Sequence, residues 1–592
     1  MMRRRDLVGS LAAGALLPAL PALGASRHRH RPGDPSWPSD TAWANLDRAV
    51  GGRLVKPAPI AEACAVAPRS AACTALFTDL ANPFYVGDQP GGTQVSGWLD
   101  AWRPGVSAYA VAAASSADVA QAVNFARRHN LRLVVKGGGH SYQGTSNAPD
   151  SLLIWTRRMN AITPHATFTP RGAREPAGPA VSIGAGAMWI DAYEEVTTKG
   201  GRYVQGGGCT TVGVAGLTLG GGFGSFSKQY GAAAASLLEA EIVTADGQVR
   251  VVNADRDPDL FWALKGGGQC AFGVVTRLTL KTHPLAETAG GAFGAFKASS
   301  DGAFRRLLGR FVDLYAETLH TPHWGESVHV GDDNSLHINM VFQGLSNAQA
   351  QAAWRPLIDW AAADKEITAT GPRILGAPMR GWWDFSDARR TGADFVKFDR
   401  RPGAPAHHAW WKGDGEQVSM FLYGYDSLWL PASLLSPPER GRLADALYAA
   451  SRHFGVELHF NKGLAGGSAE ALAASRNTAT NPAVLDAFAL AIIATGGLPA
   501  YPGYPKPNIA AAERDKARID AATAALRPLA PAGGSYVSES NYFNPDWRRA
   551  FWGPHYPRLA GIKAKYDPNG LFVMRHGVGQ EHWSDDGFTR LA

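Results

Sequence analysis

Apolar positions recur with two different periods along this chain, and the change of period marks its organisation. Over residues 116–130, Val119, Val123 and Ala126 fall at helical spacing behind Ser116, which predicts an amphipathic helix capped by that serine. The unbroken apolar run 131–135 predicts a buried strand. It stops at Lys136-Gly137-Gly138-Gly139-His140-Ser141, and a second apolar run follows at 152–155. Residues 181–188 read as a strand and 189–199 as a helix. Residues 238–243 and 249–252, about Asp246-Gly247, read as a hairpin. Residues 257–264 predict a helix with Pro258 in its first turn, and 272–280 another strand.

The texture shifts near residue 286. Alternation through Val328-His329-Val330 and Leu336-His337-Ile338-Asn339-Met340-Val341 predicts antiparallel strands, with helices such as 439–453 between them. Residues 26–100, rich in Pro, Gly and Ala, read as an N-terminal segment in which 82–87 is a loop entering the main body. The Asp567-Pro568-Asn569-Gly570 turn punctuates an aromatic-rich C-terminal stretch. The expected class is α+β: one body over 101–285, a second over 286–535 with helices backing an antiparallel sheet, and a closing segment over 536–584.

Composition adds limits. The net charge of +7 is scattered rather than striped, which excludes a nucleic-acid footprint. Its one dense cluster, Arg27-His28-Arg29-His30-Arg31, reads as a solvated tail. Arg3-Arg4-Arg5, an apolar stretch and small residues around Ala22 to Ala25 predict a cleaved twin-arginine export signal over 1–25. A membrane span is disfavoured by the short apolar stretch with Pro18 and Pro21, and no later segment looks like one. An exported, periplasmic or extracellular location lets Cys64 and Cys73 pair. Cys270 reads as a small buried residue. The abundant tryptophans, Trp382-Trp383, Trp410-Trp411 and Trp429 among them, read as packing rather than as sugar-stacking platforms.

Two glycine-rich loops carry the candidate chemistry. The first ends in His140. The second runs from Gly206-Gly207-Gly208-Cys209 through Gly213 and Gly216 to Gly220-Gly221-Gly222. Such loops offer backbone amides to a phosphate, yet neither matches the P-loop or dinucleotide fingerprints. Imidazole and thiolate are both nucleophiles. On their own, His140 also reads as a turn histidine and Cys209 as a small core residue.

Four motifs resolve this by resemblance. They are Lys136 to Tyr142, Gly208-Cys209-Thr210-Thr211-Val212-Gly213 with Gly220 to Gly224, Asp259 to Gly268, and Asp567 to Phe572. In order and spacing the chain resembles berberine bridge enzyme-like oxidases of the vanillyl-alcohol oxidase superfamily, over about 100–285 and 536–580. The resemblance implies a two-part FAD-binding domain completed by the C-terminus, and a substrate domain. It implies FAD held by two covalent bonds, His140 to the flavin 8α carbon and Cys209 to C6. Lys136, Gly137, Gly138, Gly139, Ser141, Tyr142, Gly208, Gly213, Gly216, Gly220, Gly221, Gly222 and Asn541 are then expected around the cofactor, with Val243 on the adenine side.

Val212 matches a gate position whose small size goes with oxygen access. That implies an oxidase, with dioxygen as acceptor and an alcohol, sugar hemiacetal or phenolic or alkaloid-like substrate. A dehydrogenase serving a quinone or protein, or a flavin-binding protein without turnover, are the alternatives. Tyr142, Tyr536, Glu539 and Tyr542 are the candidates for base or orienting group. Ser538 stands where the family commonly has Asn. Asn461 and Lys462 could also face the flavin, although a lysine is more often solvated.

Overall fold

A computed structural model describes residues 28–591; the expected export signal lies outside them. Among the described residues, no helix is long and apolar enough to cross a membrane.

The first body holds two sheets. In the smaller, strands Leu133–Lys136 and Tyr109–Ala112 flank Leu152–Trp155 in parallel, and Leu54–Val55 adds an antiparallel edge. The helix Ser116–Arg128 packs on it through Val119, Val123 and Ala126, together with Trp43 and Leu46 of the helix Asp40–Ala49. Ser115, not Ser116, caps the longer helix. Its hydroxyl takes the Asp118 amide while Asp118 turns back to the Ser115 amide, a reciprocal pair that the residue one step later cannot close. The larger sheet is antiparallel, in the order Ile162–Phe168, Gly178–Gly184, Val274–Pro284, Leu237–Val243, Val249–Asn253.

The segment expected as a loop at 82–87 is instead a short helix, Pro83–Gly87. The Asn82 side chain accepts from the Phe84 amide at 3.0 Å, and Pro83 presets the first turn. Nearby, Cys64 and Cys73 form a disulfide, packed with Leu80 and Tyr501.

The second body is an eight-stranded antiparallel sheet. Along its strand Ala487–Gly497, Ala491 and Ile493 face the core shared with the helices Asp301–Leu314, Asn347–Ala363, Pro437–Ser451 and Ile509–Leu526, whereas Leu490 and Ile492 face the first body. Period-two alternation thus gives the sheet one face for its helices and one for the inter-body seam. Residues 379–417, before the strand Phe421–Pro431, form an insertion. Within it Val396–Phe398 pairs with Ala409–Trp411, and nothing in the periodicity announced it. The C-terminal segment crosses back: Trp552 Nε1 donates to Gly266 O at 3.1 Å, and Lys563 Nζ to Ala271 O at 2.5 Å.

Candidate active site

Between the two bodies lies a cavity open to solvent on one side. One wall is the loop after strand Leu133–Lys136, which contributes Lys136 through Tyr142. Beside it runs the second glycine loop, with Cys209, Val212, Gly213 and Gly216. Tyr536 and Glu539 of the C-terminal segment close one end. The two loops are in backbone contact, since a Cβ on Gly138 would come 3.0 Å from the Gly213 nitrogen. At Gly216 a Cβ would meet nothing within 4 Å. Among the described residues, the amides of Gly138, Gly139 and His140 meet no protein acceptor, which suits a phosphate-bearing ligand. A large, amide-lined cavity with two nucleophiles on its walls fits FAD.

His140 Nε2 lies 3.2 Å from Thr211 Oγ1. With Nε2 donating to that hydroxyl, the Nδ1 lone pair is left free. Burial holds this imidazole down to about 4, so it is neutral at pH 7. Burial likewise raises the Cys209 thiol well above its ordinary range, helped by the adjacent Asp414 carboxyl. Cys209 therefore sits as thiol and needs a proton acceptor before it can act as a nucleophile.

Asp414 was not foreseen from the sequence. It belongs to the insertion, on the turn of helix Lys412–Glu416 after strand Ala409–Trp411. Trp411 Nε1 donates to Gly208 O at 3.3 Å, which docks the insertion on the Cys209 loop. Burial pushes the Asp414 carboxyl up to about 6, and its Oδ2 is buried without a partner. Gln417, from the same insertion, accepts from the Tyr142 hydroxyl at 3.2 Å. Desolvation also raises Tyr142 and Tyr536, so both phenols are protonated. Glu539 is ion-paired with Lys462, whose side chain is only 13% exposed. Lys462 is thus a half-buried partner of cavity-lining Glu539 rather than a solvated lysine.

Several expected residues stand back from the cavity. Gly208 lies beside it, against Trp411. Gly220, Gly221 and Gly222 pack against Ser538, Thr480 and Leu217, where a side chain would collide. Val243 is buried within its strand, its carbonyl against Gly273. Asn541 bonds Asp426 at 3.4 Å and the Phe543 amide at 2.9 Å. Tyr542 packs on Trp98 and under Arg575. These positions support the walls without lining them. Ser538 does line the cavity and takes a hydrogen bond of 2.8 Å from Gln269. Cys270, expected in the core, also reaches the cavity, with its thiol 3.6 Å from Met574 Sδ. Trp383 stacks on Tyr193 at 4.2 Å, in keeping with the packing expected of the tryptophans.

The geometry agrees with comparison to known proteins. Residues 107–253 match the FAD binding domain family, and 501–579 match the berberine and berberine-like family. The VAO-type flavoprotein oxidase VAO615 of Thermothelomyces thermophilus is 29% identical, over 95% of this chain and 94% of that protein. The chain thus joins an FAD binding domain to a berberine-like segment and is similar over almost its whole length to FAD-linked oxidoreductases. The solved structure of the VAO-type flavoprotein MtVAO615 from Myceliophthora thermophila C1 superposes with a TM-score of 0.78 at 26% identity, covering 95% of this chain and all of that one. A more distant structure, that of the glucooligosaccharide oxidase of Acremonium strictum, shares the fold at a TM-score of 0.61 and 19% identity, over 82% of this chain and 94% of that one. Its structure is described as carrying a 6-S-cysteinyl, 8α-N1-histidyl FAD.

Proposed function

We propose that this berberine bridge enzyme-like protein is an oxidase that holds FAD through both His140 and Cys209. In this reading it oxidises a small organic substrate bearing an alcohol, hemiacetal or phenol, and passes the electrons to dioxygen to give hydrogen peroxide. FAD, when bound, supplies the hydride acceptor. The observation that carries the reading is the placement of a neutral imidazole and a thiol, from two adjoining glycine loops, on the lining of one cavity, with a carboxyl beside the thiol. Asp414 is the proton acceptor best placed for substrate oxidation, and the Tyr142–Gln417 pair orients the substrate hydroxyl. Val212 on the cavity wall supports oxygen access. The twin-arginine signature of the first residues, read with the disulfide, supports export of the folded protein.

Intact mass under denaturing conditions tests the attachment. Wild type, His140→Ala and Cys209→Ala should each retain the mass of FAD, and the double variant should lose it. Bare polypeptide from yellow wild-type protein would reject covalent attachment. Oxygen uptake during substrate screening tests the oxidase reading, and turnover only with a quinone or protein acceptor would replace it with a dehydrogenase.

A further inference from the structure

A second cluster lies on the same seam, outside the flavin cavity. Asp191 sits on helix Trp189–Tyr193 of the first body, and His407 and His408 end the insertion's loop just before strand Ala409–Trp411. Both imidazoles aim Nε2 at the same Asp191 Oδ1, each at 3.0 Å. The three potential ligand atoms lie within 4.8 Å of one another. Zinc bonds of ~2.0–2.2 Å to nitrogen and oxygen place tetrahedral ligands ~3.3 Å apart, so the cluster needs only small shifts to close around an ion.

The surroundings are those of a built site. The His408 ring is held flat on Phe84, centroids 4.1 Å apart at 11°. Its other nitrogen, Nδ1, is buried without a partner and points towards Asp399 Oδ2 at 4.0 Å. A metal on Nε2 leaves Nδ1 as the protonated nitrogen, and a carboxylate behind it is the usual orienting partner of a ligating histidine. Asp399 is fixed in turn by Arg401 at 2.7 Å and Asn82 at 2.9 Å, and Asp88 pairs with both Arg157 and Arg401. Three carboxylates therefore face two guanidiniums, leaving a net negative charge that a cation offsets. His407, with a side chain 26% exposed, leaves one side of the cluster open for water as a further ligand.

We propose that Asp191, His407 and His408 bind one divalent transition-metal ion, zinc being the best match to two imidazoles and one carboxylate. The ion would clamp the insertion onto the first body. Because strand Ala409–Trp411 leads straight to Asp414, the clamp would fix the carboxyl that faces Cys209.

The test uses the untagged, flavin-loaded protein, stripped with a chelator, exposed to stoichiometric zinc and desalted. Bound zinc is then counted by mass spectrometry, and thermal unfolding is followed with and without the ion. Wild type should retain one zinc per chain with a raised Tm, and zinc should be retained over magnesium or calcium. His407→Asn, which alters the more exposed ligand and spares the His408 stack, should retain none and show no zinc-dependent Tm shift. Asp399→Asn should weaken binding by about 10- to 100-fold. Absence of zinc in wild type would overturn the proposal and leave the cluster as a hydrogen-bonded ion pair. Equal retention by wild type and His407→Asn would also overturn it, by assigning the ion to other histidines such as those near residue 30.

Discussion

Asp414 is a carboxyl held between two duties. Its oxygens lie beside the Cys209 thiol, and burial brings its titration to about 6, within reach of neutral conditions. A base must be deprotonated to act, so flavin reduction by substrate should rise with pH through about 6 and level off above it. Asp414→Asn should lower the reduction rate by roughly 10²-fold or more and abolish that limb of the profile; stopped-flow reduction across pH 5–8 reads both. A rate unchanged in the variant would move the role to Glu539. The same substitution should slow attachment at Cys209 and spare attachment at His140, which mass analysis of Asp414→Asn placed in the His140→Ala and in the Cys209→Ala backgrounds would show. The sequence offered Tyr142, Tyr536 and Glu539 because they lie in or near recognisable motifs. Asp414 lies far from any motif, in a helix of one turn, and only the docking of Trp411 on Gly208 brings it to the cavity.

Glycines separate cavity from scaffold. Gly224 lies so close to Gly206 that an added Cβ would sit 1.7 Å from its carbonyl oxygen, so Gly224→Ala should fail to fold or lose several kcal/mol. Gly216 meets nothing within 4 Å and lies on helix Val214–Leu219. Gly216→Ala should leave flavin-free stability unchanged or higher by ~0.4–1 kcal/mol, while its methyl group lowers flavin content. Thermal melts paired with the 450 nm absorbance distinguish the two effects. At this scale the sequence was largely readable. The hairpin at 237–253 and the strand–loop–strand order around His140 follow from apolar runs and turn residues, which act locally. The insertion at 379–417 was not readable. Its strands have three residues each, and their apolar side chains are spent on contacts with the first body rather than on a pattern within the segment.

For the whole molecule, desolvation holds five histidines neutral well below their ordinary titration range. His140, His283, His320 and His459 are lowered to about 4, and His576 to about 3. Each binds its proton more weakly folded than unfolded. Their joint contribution to stability is therefore complete above about 6.5 and lost as pH falls towards 4. Raised carboxyls such as Asp414 act in the opposite sense over 4 to 6, but fewer groups are involved. Tm should fall steeply between pH 6.5 and 4, and a flat profile there would show that these imidazoles are hydrated. The two-body plan was legible because the change of period near residue 286 is global, whereas the seam between the bodies is written only in which strand face each residue takes. That seam also carries a consequence for timing. One end of the flavin cavity is built by Tyr536 and Glu539, and the first body is braced by Trp552 and Lys563. A ribosome that has made the glycine loops has still to make the entire second body before the wall exists. The cofactor cannot be enclosed during elongation, and a chain halted anywhere in the second body is an open half-shell with both nucleophiles uncovered.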